Sequence, residues 1–513
     1  MPSPKKSPKK VLSFLMPALA GSLATLAFAP YDFWPLLLPI TAAFFLLIRT
    51  ETVKTATLKG LSFGLGMFGT GVSWVYVSIH QFGSAPPILA VLLTALFVLV
   101  LSAFLIAPMA YSYSRLRDIL KVSTPWRQAL LFTGLWVIFE WTRTWLLTGF
   151  PWLLQGYALL DTPFQSWAPI TGVFGLSFLL ALAATAIAAV IVSKQKKPAV
   201  FLATVTAALW LAALPLDKVQ WTKPVKEISF SAVQGNISQS LKWNPNHIQK
   251  TISTYYGLTQ SEWQQDLIVW PENALPFFYS DGVRVLEQLG NITKANDSTL
   301  ILGMPVDDTS SASTSESVSK ELRYYNGILS VGATEGRYFK QKLVPFGEYV
   351  PLESTLRGLI SFFDLPMSAF SKGNHDQKKL SAAGTDITSY ICYEVVYPDF
   401  AAKQAKGSGL LVTISNDTWF GKSIGPVQHY QMARMRSLET GRYLIRATND
   451  GITALVNEKG QEVTRIERFK EGVLKGKAMV MEGTTPFMNF GSWPVLFLSL
   501  LLIFLAAVFT RRQ

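Results

Sequence analysis

One stretch, ITSYICYE at residues 387–394, indicates how the polar half of this chain folds. Its β-branched and aromatic residues are typical of a strand. The stretch ends on Cys392 and Glu394, and Cys392 is the sole cysteine among 513 residues. Because disulfides need two cysteines, Cys392 cannot form one within the chain. It is therefore an inert buried thiol, an intermolecular cross-link or a reactive group.

Similar strand-like runs recur on both sides of this stretch, with helical patterns between several of them. Apolar strands that alternate with helices predict a layered α/β domain with buried sheets. A Ser-rich stretch at 309–320 is expected to be a solvated loop, and the aromatic-rich segment 359–370 is a candidate lid. The strand-like runs cover residues 227–237, 266–270, 299–306, 325–332, 387–393, 410–415 and 451–458, and the helical patterns cover about 245–260, 282–296 and 426–442.

Long apolar runs lie outside this domain, and they explain why half of all residues are hydrophobic. A helix needs about 20 mostly apolar residues to cross a bilayer. The runs predict a polytopic α-helical membrane domain with eight transmembrane helices. For the first run, a retained helix is preferred to a cleaved signal peptide because further spans follow at once. The runs lie near 11–29, 33–48, 57–79, 86–110, 126–147, 166–193, 198–215 and 491–510.

The net charge of +13 is distributed in a way that indicates a membrane protein rather than a nucleic-acid-binding protein. Lysine and arginine occur in every second connection between the apolar runs, while the connections near 30–32, 80–85 and 148–165 carry none. This is the positive-inside pattern. It predicts cytoplasmic termini and an extracytoplasmic domain. The expected organisation is a membrane domain at 1–215, a large polar domain at 216–490, and a last span with a cytoplasmic end at 491–513.

Three segments place ionisable groups at or just beyond the end of a strand-like run, where α/β folds assemble their sites. Glu272 follows the run DLIVW, Lys340, Lys342 and Glu348 lie in RYFKQKLVPFGEYVP, and Cys392 ends ITSYIC. A thiol needs a base to become a nucleophile, and the oxyanion of acyl transfer needs a cation or N–H donors. A Cys–Glu–Lys set, with the backbone N–H after the cysteine, is therefore sufficient for acyl transfer without histidine.

Each of these residues also has a structural interpretation. Glu272 is a candidate helix N-cap, Cys392 a candidate core residue, and the two lysines a candidate solvated strand face. The strand period of two cannot separate Lys340 from Lys342, because residues two apart point the same way. The four histidines have no metal-ligand spacing, so neither a metal nor another cofactor is expected.

Taken together, these motifs resemble the nitrilase superfamily. A glutamate in a PE context, a lysine before PFGE, and a cysteine followed by an aromatic residue and glutamate occur here in the family's order. With the apolar helices and the stretches KLVPFGEYVPLE, SNDTWFG and TGFPWLLQGY, the chain is similar to the membrane-bound acyltransferase branch of that superfamily. The resemblance implies an extracytoplasmic α/β domain with the nitrilase-like αββα sandwich fold.

The resemblance also implies roles for seven residues. It marks Lys340, rather than Lys342, as the catalytic lysine, with Glu272 as general base and Cys392 as nucleophile. Supporting roles are implied for Glu348, Tyr393, Glu394 and Trp243.

The implied reaction is a ping-pong acyl transfer. A phospholipid, expected to be phosphatidylethanolamine, would acylate the cysteine, and the α-amine of a diacylglyceryl-cysteine at an apolipoprotein N-terminus would accept the chain. The expected location is the inner membrane, with the catalytic domain in the periplasm, and the expected state is a monomer.

A membrane-tethered amidohydrolase is the alternative enzyme, and a transporter or scaffold the alternative class. Glu140 and Arg143, three residues apart in the fifth span, are open to a functional or a structural interpretation.

Overall fold

The computed structural model describes most of the chain. The Ser-rich stretch, most of the candidate lid and both chain ends lie outside the described residues. The described ranges are 8–194, 196–308, 323–351 and 369–508.

These residues form two compact units. The helical unit comprises the described residues up to His80, those of Ala85–Val219, and those from Phe490 onward. The sandwich unit comprises Gln81–Ser84 and the described residues from Gln220 to Asn489.

Each of the eight apolar runs contains a helix. Among the described residues, three helices are long and apolar enough to cross a membrane, namely Pro87–Ile119, Pro163–Val192 and Lys196–Leu216, and three shorter helices are also apolar. The count of eight transmembrane helices therefore stays a prediction. The main helices are Pro8–Ala24, Leu37–Ile48, Val53–Gly71, Pro87–Leu101, Ala107–Ile119, Pro125–Thr142, Ala168–Val192, Lys196–Leu211 and Trp493–Val508, and the shorter helical segments are Thr25–Ala27, Trp34–Leu36, Val75–Val77, Ser78–Phe82, Ser102–Ile106, Leu146–Thr148, Gln155–Leu159, Pro163–Trp167 and Ala213–Leu216.

Glu140 and Arg143 are both buried in the helical unit, and both bind the loop that follows their helix. Glu140 Oε1 accepts a hydrogen bond from the backbone N–H of Gln155 at 2.9 Å. Arg143 Nη1 donates to the carbonyl oxygens of Trp152 at 3.3 Å and Leu153 at 3.2 Å. These contacts satisfy backbone groups that would otherwise be buried without partners. They favour the structural interpretation of the two charges.

Twelve strands make up the described sheets of the sandwich unit. Its helices are Gln239–Lys242, Pro245–His247, Ile248–Thr259, Tyr279–Ala295, Cys392–Val396, Pro398–Ala405, Asp417–Phe420 and Gly425–Thr440, and Pro486–Phe490 ends the unit. The strands are β1 Thr222–Gln234, β2 Leu267–Val269, β3 Thr299–Asp308, β4 Arg323–Gly332, β5 Gly336–Phe339, β6 Leu380–Ala382, β7 Thr385–Ile391, β8 Leu410–Ser415, β9 Leu444–Thr448, β10 Thr453–Val456, β11 Glu462–Ile466 and β12 Gly472–Gly483.

The strands form two six-stranded sheets of matching design. The first has the order β12-β1-β2-β3-β4-β5, and the second has the order β11-β10-β9-β8-β7-β6. In each sheet three strands run parallel, β1-β2-β3 in one and β7-β8-β9 in the other, and antiparallel strands flank them. The carboxyl ends of parallel strands are where α/β folds collect functional groups.

The two sheets pack face to face between two layers of helices. On the outer face of the second sheet, Tyr390 Oη donates to the carbonyl oxygen of Ala401 in helix Pro398–Ala405 at 2.7 Å. Helices Ile248–Thr259 and Tyr279–Ala295 cover the outer face of the first sheet through an apolar cluster that includes Tyr255, Leu286, Leu289, Ile268, Leu300 and Leu302. The core between the sheets includes Ile228, Phe230, Leu267, Val269, Ile301 and Ile328 from one side and Ile387, Ile391, Leu410, Val412, Ile414 and Ile445 from the other.

The predicted αββα sandwich is confirmed, and each of the seven strand-like runs contains a strand. Sequence patterns missed β5, β6, β9, β11 and β12. β5 and β6 are too short to carry a period, and β11 is largely exposed and polar. β12 alternates lysines with apolar residues and pairs with β1 from the far end of the domain.

Gly303 in β3 allows the turn that carries Glu272 to lie against the sheet. A Cβ atom at Gly303 would lie 2.7 Å from Glu272 Cα and 2.7 Å from the backbone nitrogen of Asn273. Backbone atoms cannot yield as a side-chain tip can. We predict that Gly303→Ala lowers the free energy of unfolding by about 1–3 kcal/mol, measured as a fall in the thermal denaturation midpoint in detergent.

Gly257 supplies the matched control, because a Cβ there meets nothing within 4 Å. It lies in helix Ile248–Thr259, where alanine is the better helix former. Gly257→Ala should leave the midpoint unchanged or raise it. Equal midpoints for the two variants would contradict the account of Gly303.

Candidate active site

Glu272 lies just beyond the carboxyl end of β2, after Pro271, and it is only 5% exposed. Its Oε2 accepts a hydrogen bond from the backbone N–H of Asn416, beyond the end of β8, at 2.8 Å. Its Oε1 accepts from Asn326 Nδ2 at 2.7 Å. The carboxylate is therefore held by both sheets and is not a helix N-cap.

Lys340 follows β5 and is 1% exposed. Its Nζ lies 2.8 Å from Glu348 Oε1 and 3.6 Å from Glu272 Oε1. Burial alone would lower the pKa of Lys340, but Glu348 and Glu272 outweigh it, and the net pKa is raised. The lysine thus stays a cation between two carboxylates.

Asn326, in β4, joins the two carboxylates. Its Nδ2 donates to Glu272 Oε1 and to Glu348 Oε1, each at 2.7 Å. Glu348 Oε2 also accepts from the backbone N–H of Val344 at 2.8 Å. Buried carboxylates are tolerated when ion pairs and hydrogen bonds satisfy their oxygens, and these contacts do so here.

Cys392 follows β7 and begins the short helix Cys392–Val396. It is partly buried. Its φ of 49° is in the left-handed region, which is rare for a residue other than glycine. Burial raises the pKa of the thiol, the charge of Glu272 raises it further, and Lys340 opposes them. The thiol is therefore protonated near neutral pH and needs a base to react.

The structure separates the two lysines that the strand period could not. β5 ends at Phe339, so Lys342 is not on a strand face that it shares with Lys340. Lys342 Nζ instead lies over the rings of Tyr397, at 5.1 Å from the centroid, and Phe400, at 5.8 Å. The ion pairs with Glu272 and Glu348 belong to Lys340.

Glu394 is fully buried and organises the backbone on both sides of Cys392. Its Oε2 accepts from the backbone N–H of Ile391 at 2.8 Å, and its Oε1 accepts from that of Gln341 at 2.6 Å. Burial raises its pKa to about 7. Tyr393 is buried beside it and packs edge-on against Tyr397, with 5.3 Å between ring centroids.

Trp243, the remaining predicted site residue, is half-buried just after the short helix Gln239–Lys242. Its neighbour Lys242 is fully buried and donates from Nζ to the carbonyl oxygen of Glu272 at 2.9 Å. Burial lowers the pKa of Lys242 to about 8. This lysine, which sequence reasoning missed, connects the segment that carries Trp243 to the turn that carries Glu272.

Three potential metal-ligand residues also come together, although the histidines have no metal-ligand spacing along the chain. Cys392, Asp417 and His429 each offer a ligand atom, and these atoms lie within 4.8 Å of one another. Asp417 Oδ2, however, accepts from Arg446 Nη2 at 2.8 Å. His429 Nε2 lies 3.1 Å from the carbonyl oxygen of Cys392. One potential ligand atom of each of these two residues is therefore already engaged in a contact within the protein.

Comparisons with known proteins match both units. The model of the apolipoprotein N-acyltransferase N-terminal domain matches residues 20–186, and that of carbon-nitrogen hydrolases matches residues 230–479. A protein of Pseudomonas syringae pv. tomato named apolipoprotein N-acyltransferase is 45% identical over 493 residues, which are 95% of each chain. The chain belongs to the apolipoprotein N-acyltransferase family. Proteins with the same name from Azotobacter vinelandii and Photobacterium profundum are 44% and 39% identical, over 97% and 99% of this chain and 95% and 97% of their own.

As a member of the apolipoprotein N-acyltransferase family, the chain is an acyltransferase with a catalytic domain of the carbon-nitrogen hydrolase type. The structure brings into the site residues to which the sequence analysis assigned no role. Asn326 lies within a strand, and only the fold brings it to the carboxylates. Asp417 lies in SNDTWFG, which stood out only through resemblance, and His429 lies in helix Gly425–Thr440.

Alkylation of Cys392 by iodoacetamide should report the electrostatics of the site. Because the thiol pKa is raised, the thiolate fraction and the alkylation rate should grow about tenfold per pH unit from pH 7 to pH 9. A rate that levels off near neutral pH would contradict the raised pKa.

Two charge-neutralising variants should shift this rate in opposite directions at a fixed pH. Glu272→Gln removes the anion that raises the thiol pKa, so alkylation should become faster. Lys340→Met removes the cation that lowers it, so alkylation should become slower. The cysteine-free Cys392→Ala variant gives the background. Shifts of the same sign in both variants would refute the assignment of the two charges.

Proposed function

We propose that this chain moves an acyl chain from a membrane phospholipid to the α-amine of the N-terminal diacylglyceryl-cysteine of apolipoproteins, through a thioester on Cys392. The observation that carries the proposal is a nucleophile, a carboxylate and a cation in one buried site. The charges of Glu272 and Lys340 both act on the pKa of the Cys392 thiol, in opposite directions. Family membership supplies the reaction class, and the named relatives supply the acceptor by analogy.

In the first half-reaction Glu272 takes the thiol proton and Cys392 attacks the carbonyl carbon of the sn-1 ester. Lys340 Nζ and the backbone N–H of Tyr393 stabilise the oxyanion. The C–S bond forms, the C–O bond breaks, and Glu272 returns the proton to the departing lysophospholipid. Phosphatidylethanolamine is the proposed donor.

In the second half-reaction the α-amine of the lipoprotein attacks the thioester. Glu272 now accepts a proton from the amine, the amide bond forms as the thioester C–S bond breaks, and Glu272 returns the proton to the Cys392 sulfur. The same base and oxyanion groups thus serve both steps, as ping-pong chemistry requires. No cofactor is needed, because both steps are acyl transfers between nucleophiles.

The remaining predicted residues act in support. Glu348 holds Lys340 as a cation at 2.8 Å. Glu394 fixes the backbone around the nucleophile, and Tyr393 contributes its backbone N–H. Trp243 is proposed to support the site from the segment that the hydrogen bond between Lys242 and the carbonyl oxygen of Glu272 connects to it.

We further propose that the chain is a monomer with eight transmembrane helices in the inner membrane, both termini in the cytoplasm and the sandwich unit in the periplasm. The proposed limits are a membrane domain at 1–215, a catalytic domain at 216–490 and a last span at 491–513. The positive-inside distribution of lysine and arginine supports this topology. Both proposed substrates are membrane lipids, which explains the presence of apolar helices.

The direct test is the intact mass of the purified protein in detergent after incubation with phosphatidylethanolamine alone. We expect a fatty-acyl mass increment that maps to Cys392 and that hydroxylamine removes, because hydroxylamine cleaves thioesters. Cys392→Ala should show none. If folded protein gains no increment, the phospholipid-donor mechanism is wrong. The nitrilase-type amidohydrolase, which the match to carbon-nitrogen hydrolases favours, then becomes the better candidate.

The topology can be tested with single cysteines in a Cys392→Ala background, which contains no other thiol. Asp161 and Ser123 are both exposed and lie in alternate connections of the helical unit. A membrane-impermeant maleimide should label Asp161→Cys once the outer membrane is permeabilised, and Ser123→Cys only after lysis of the inner membrane. The reverse result would invert the proposed orientation.

A further inference from the structure

His429 lies directly behind the nucleophile. It belongs to helix Gly425–Thr440, and it is only 1% exposed. Its Nε2 lies 3.1 Å from the backbone carbonyl oxygen of Cys392. A carbonyl oxygen can only accept a hydrogen bond, so Nε2 carries the hydrogen and donates it.

The opposite edge of the imidazole is fixed by a buried ion pair. His429 Nδ1 lies 3.1 Å from Asp417 Oδ1 and 3.1 Å from Arg446 Nη2. Asp417 and Arg446 are themselves paired at 2.8 Å and are almost fully buried. The ring therefore cannot turn away from Cys392 without breaking contacts that two other elements supply, namely the short helix Asp417–Phe420 and β9.

The carbonyl that His429 binds shares a peptide unit with the proposed oxyanion donor. A trans peptide is planar, so its C=O and its N–H point in opposite directions. Fixing the carbonyl of Cys392 therefore fixes the direction of the Tyr393 N–H. This control matters because Cys392 has a φ of 49°, a conformation that persists only where surrounding contacts hold it.

We infer that His429 is a positioning residue for the oxyanion site. By donating to the carbonyl of Cys392, it aims the N–H of Tyr393 at the position that the acyl oxygen occupies in the tetrahedral intermediate. The inference rests on the proposed function, in which that N–H is an oxyanion donor. It assigns His429 no role as a base for the thiol and no role as a metal ligand.

Two substitutions separate the contacts of the ring. The amide nitrogen of glutamine reaches about as far as Nε2, so His429→Gln keeps a donor for the carbonyl of Cys392. The amide of asparagine reaches only as far as Nδ1, so His429→Asn keeps a partner for Asp417 and loses the donor to Cys392.

The readout is acylation of Cys392 by p-nitrophenyl butyrate, followed as the release of p-nitrophenolate and as a butyryl mass increment. The thiol proton passes to Glu272, the C–S bond forms, and the ester C–O bond breaks. Since one oxyanion donor is worth 10²–10³ in rate, we expect acylation to fall about 100-fold in His429→Asn and less than about tenfold in His429→Gln.

Iodoacetamide alkylation gives the matched control, because displacement at a saturated carbon forms no oxyanion. Both variants should alkylate Cys392 at rates close to wild type. Parallel losses of acylation and alkylation would mean that His429 acts on the thiol or on the fold, and would overturn the inference. So would unchanged acylation in His429→Asn, or a greater loss in His429→Gln.

If His429→Asn does not fold, His429→Phe takes its place, since it keeps a ring that can pack near Phe420, 6.1 Å away between centroids, and donates nothing. The activated ester also distinguishes a failure of the proposed phospholipid donor from a failure of the inference about His429. Acylation of wild type by the ester but not by phospholipid would refute the proposed donor and leave the comparison of variants decisive. No acylation of wild type by either would overturn the inference as well.

Discussion

The site depends on one buried cation, Lys340. Two carboxylates, Glu272 and Glu348, share the donor atom of Asn326, so their like charges repel each other unless a cation lies between them. Lys340 Nζ sits 2.8 Å and 3.6 Å from their oxygens. Removing one partner of such a buried group leaves an uncompensated charge, which is far more costly than losing a surface ion pair. In the proposed mechanism, Glu272 then serves as the base and Lys340 stabilises the oxyanion.

In the proposed mechanism, this constraint explains how a thiol with a raised pKa can act as the nucleophile. Burial and a neighbouring anion both raise the pKa of Cys392, so little thiolate is present at neutral pH, and in the proposed acyl transfer Glu272 removes the thiol proton during attack. A buried thiol of this kind is also protected from unproductive reactions. The same groups can catalyse transfer to water or to an amine. The two enzyme classes considered for this chain therefore differ in the acceptor and not in the triad.

The strand-like runs predicted a layered α/β domain, and the family resemblance implied the αββα sandwich. The positions of Glu272 and Cys392 could be recognised because both residues follow or end apolar strands, and strand ends are local features. The strand pattern could not separate Lys340 from Lys342, since both follow β5, which ends at Phe339 and is too short to be detected, and only their contacts in the fold differ. Asn326, Asp417, His429 and Arg446 were not assigned, because their roles arise only when segments remote in sequence converge. Hydropathy located the apolar helices, but length and composition alone qualify three of them as spans.

The central claim is that the thioester on Cys392 is the intermediate from which the amine is acylated. The most direct measurement is a chase of isolated acyl-enzyme. Protein acylated from phosphatidylethanolamine with a deuterated sn-1 chain is freed of donor lipid, and a diacylglyceryl-cysteine peptide is added. The account predicts that the label leaves Cys392 and appears on the α-amine of the peptide at a rate no slower than turnover. Label that stays on the protein, or is released as free fatty acid, would contradict it.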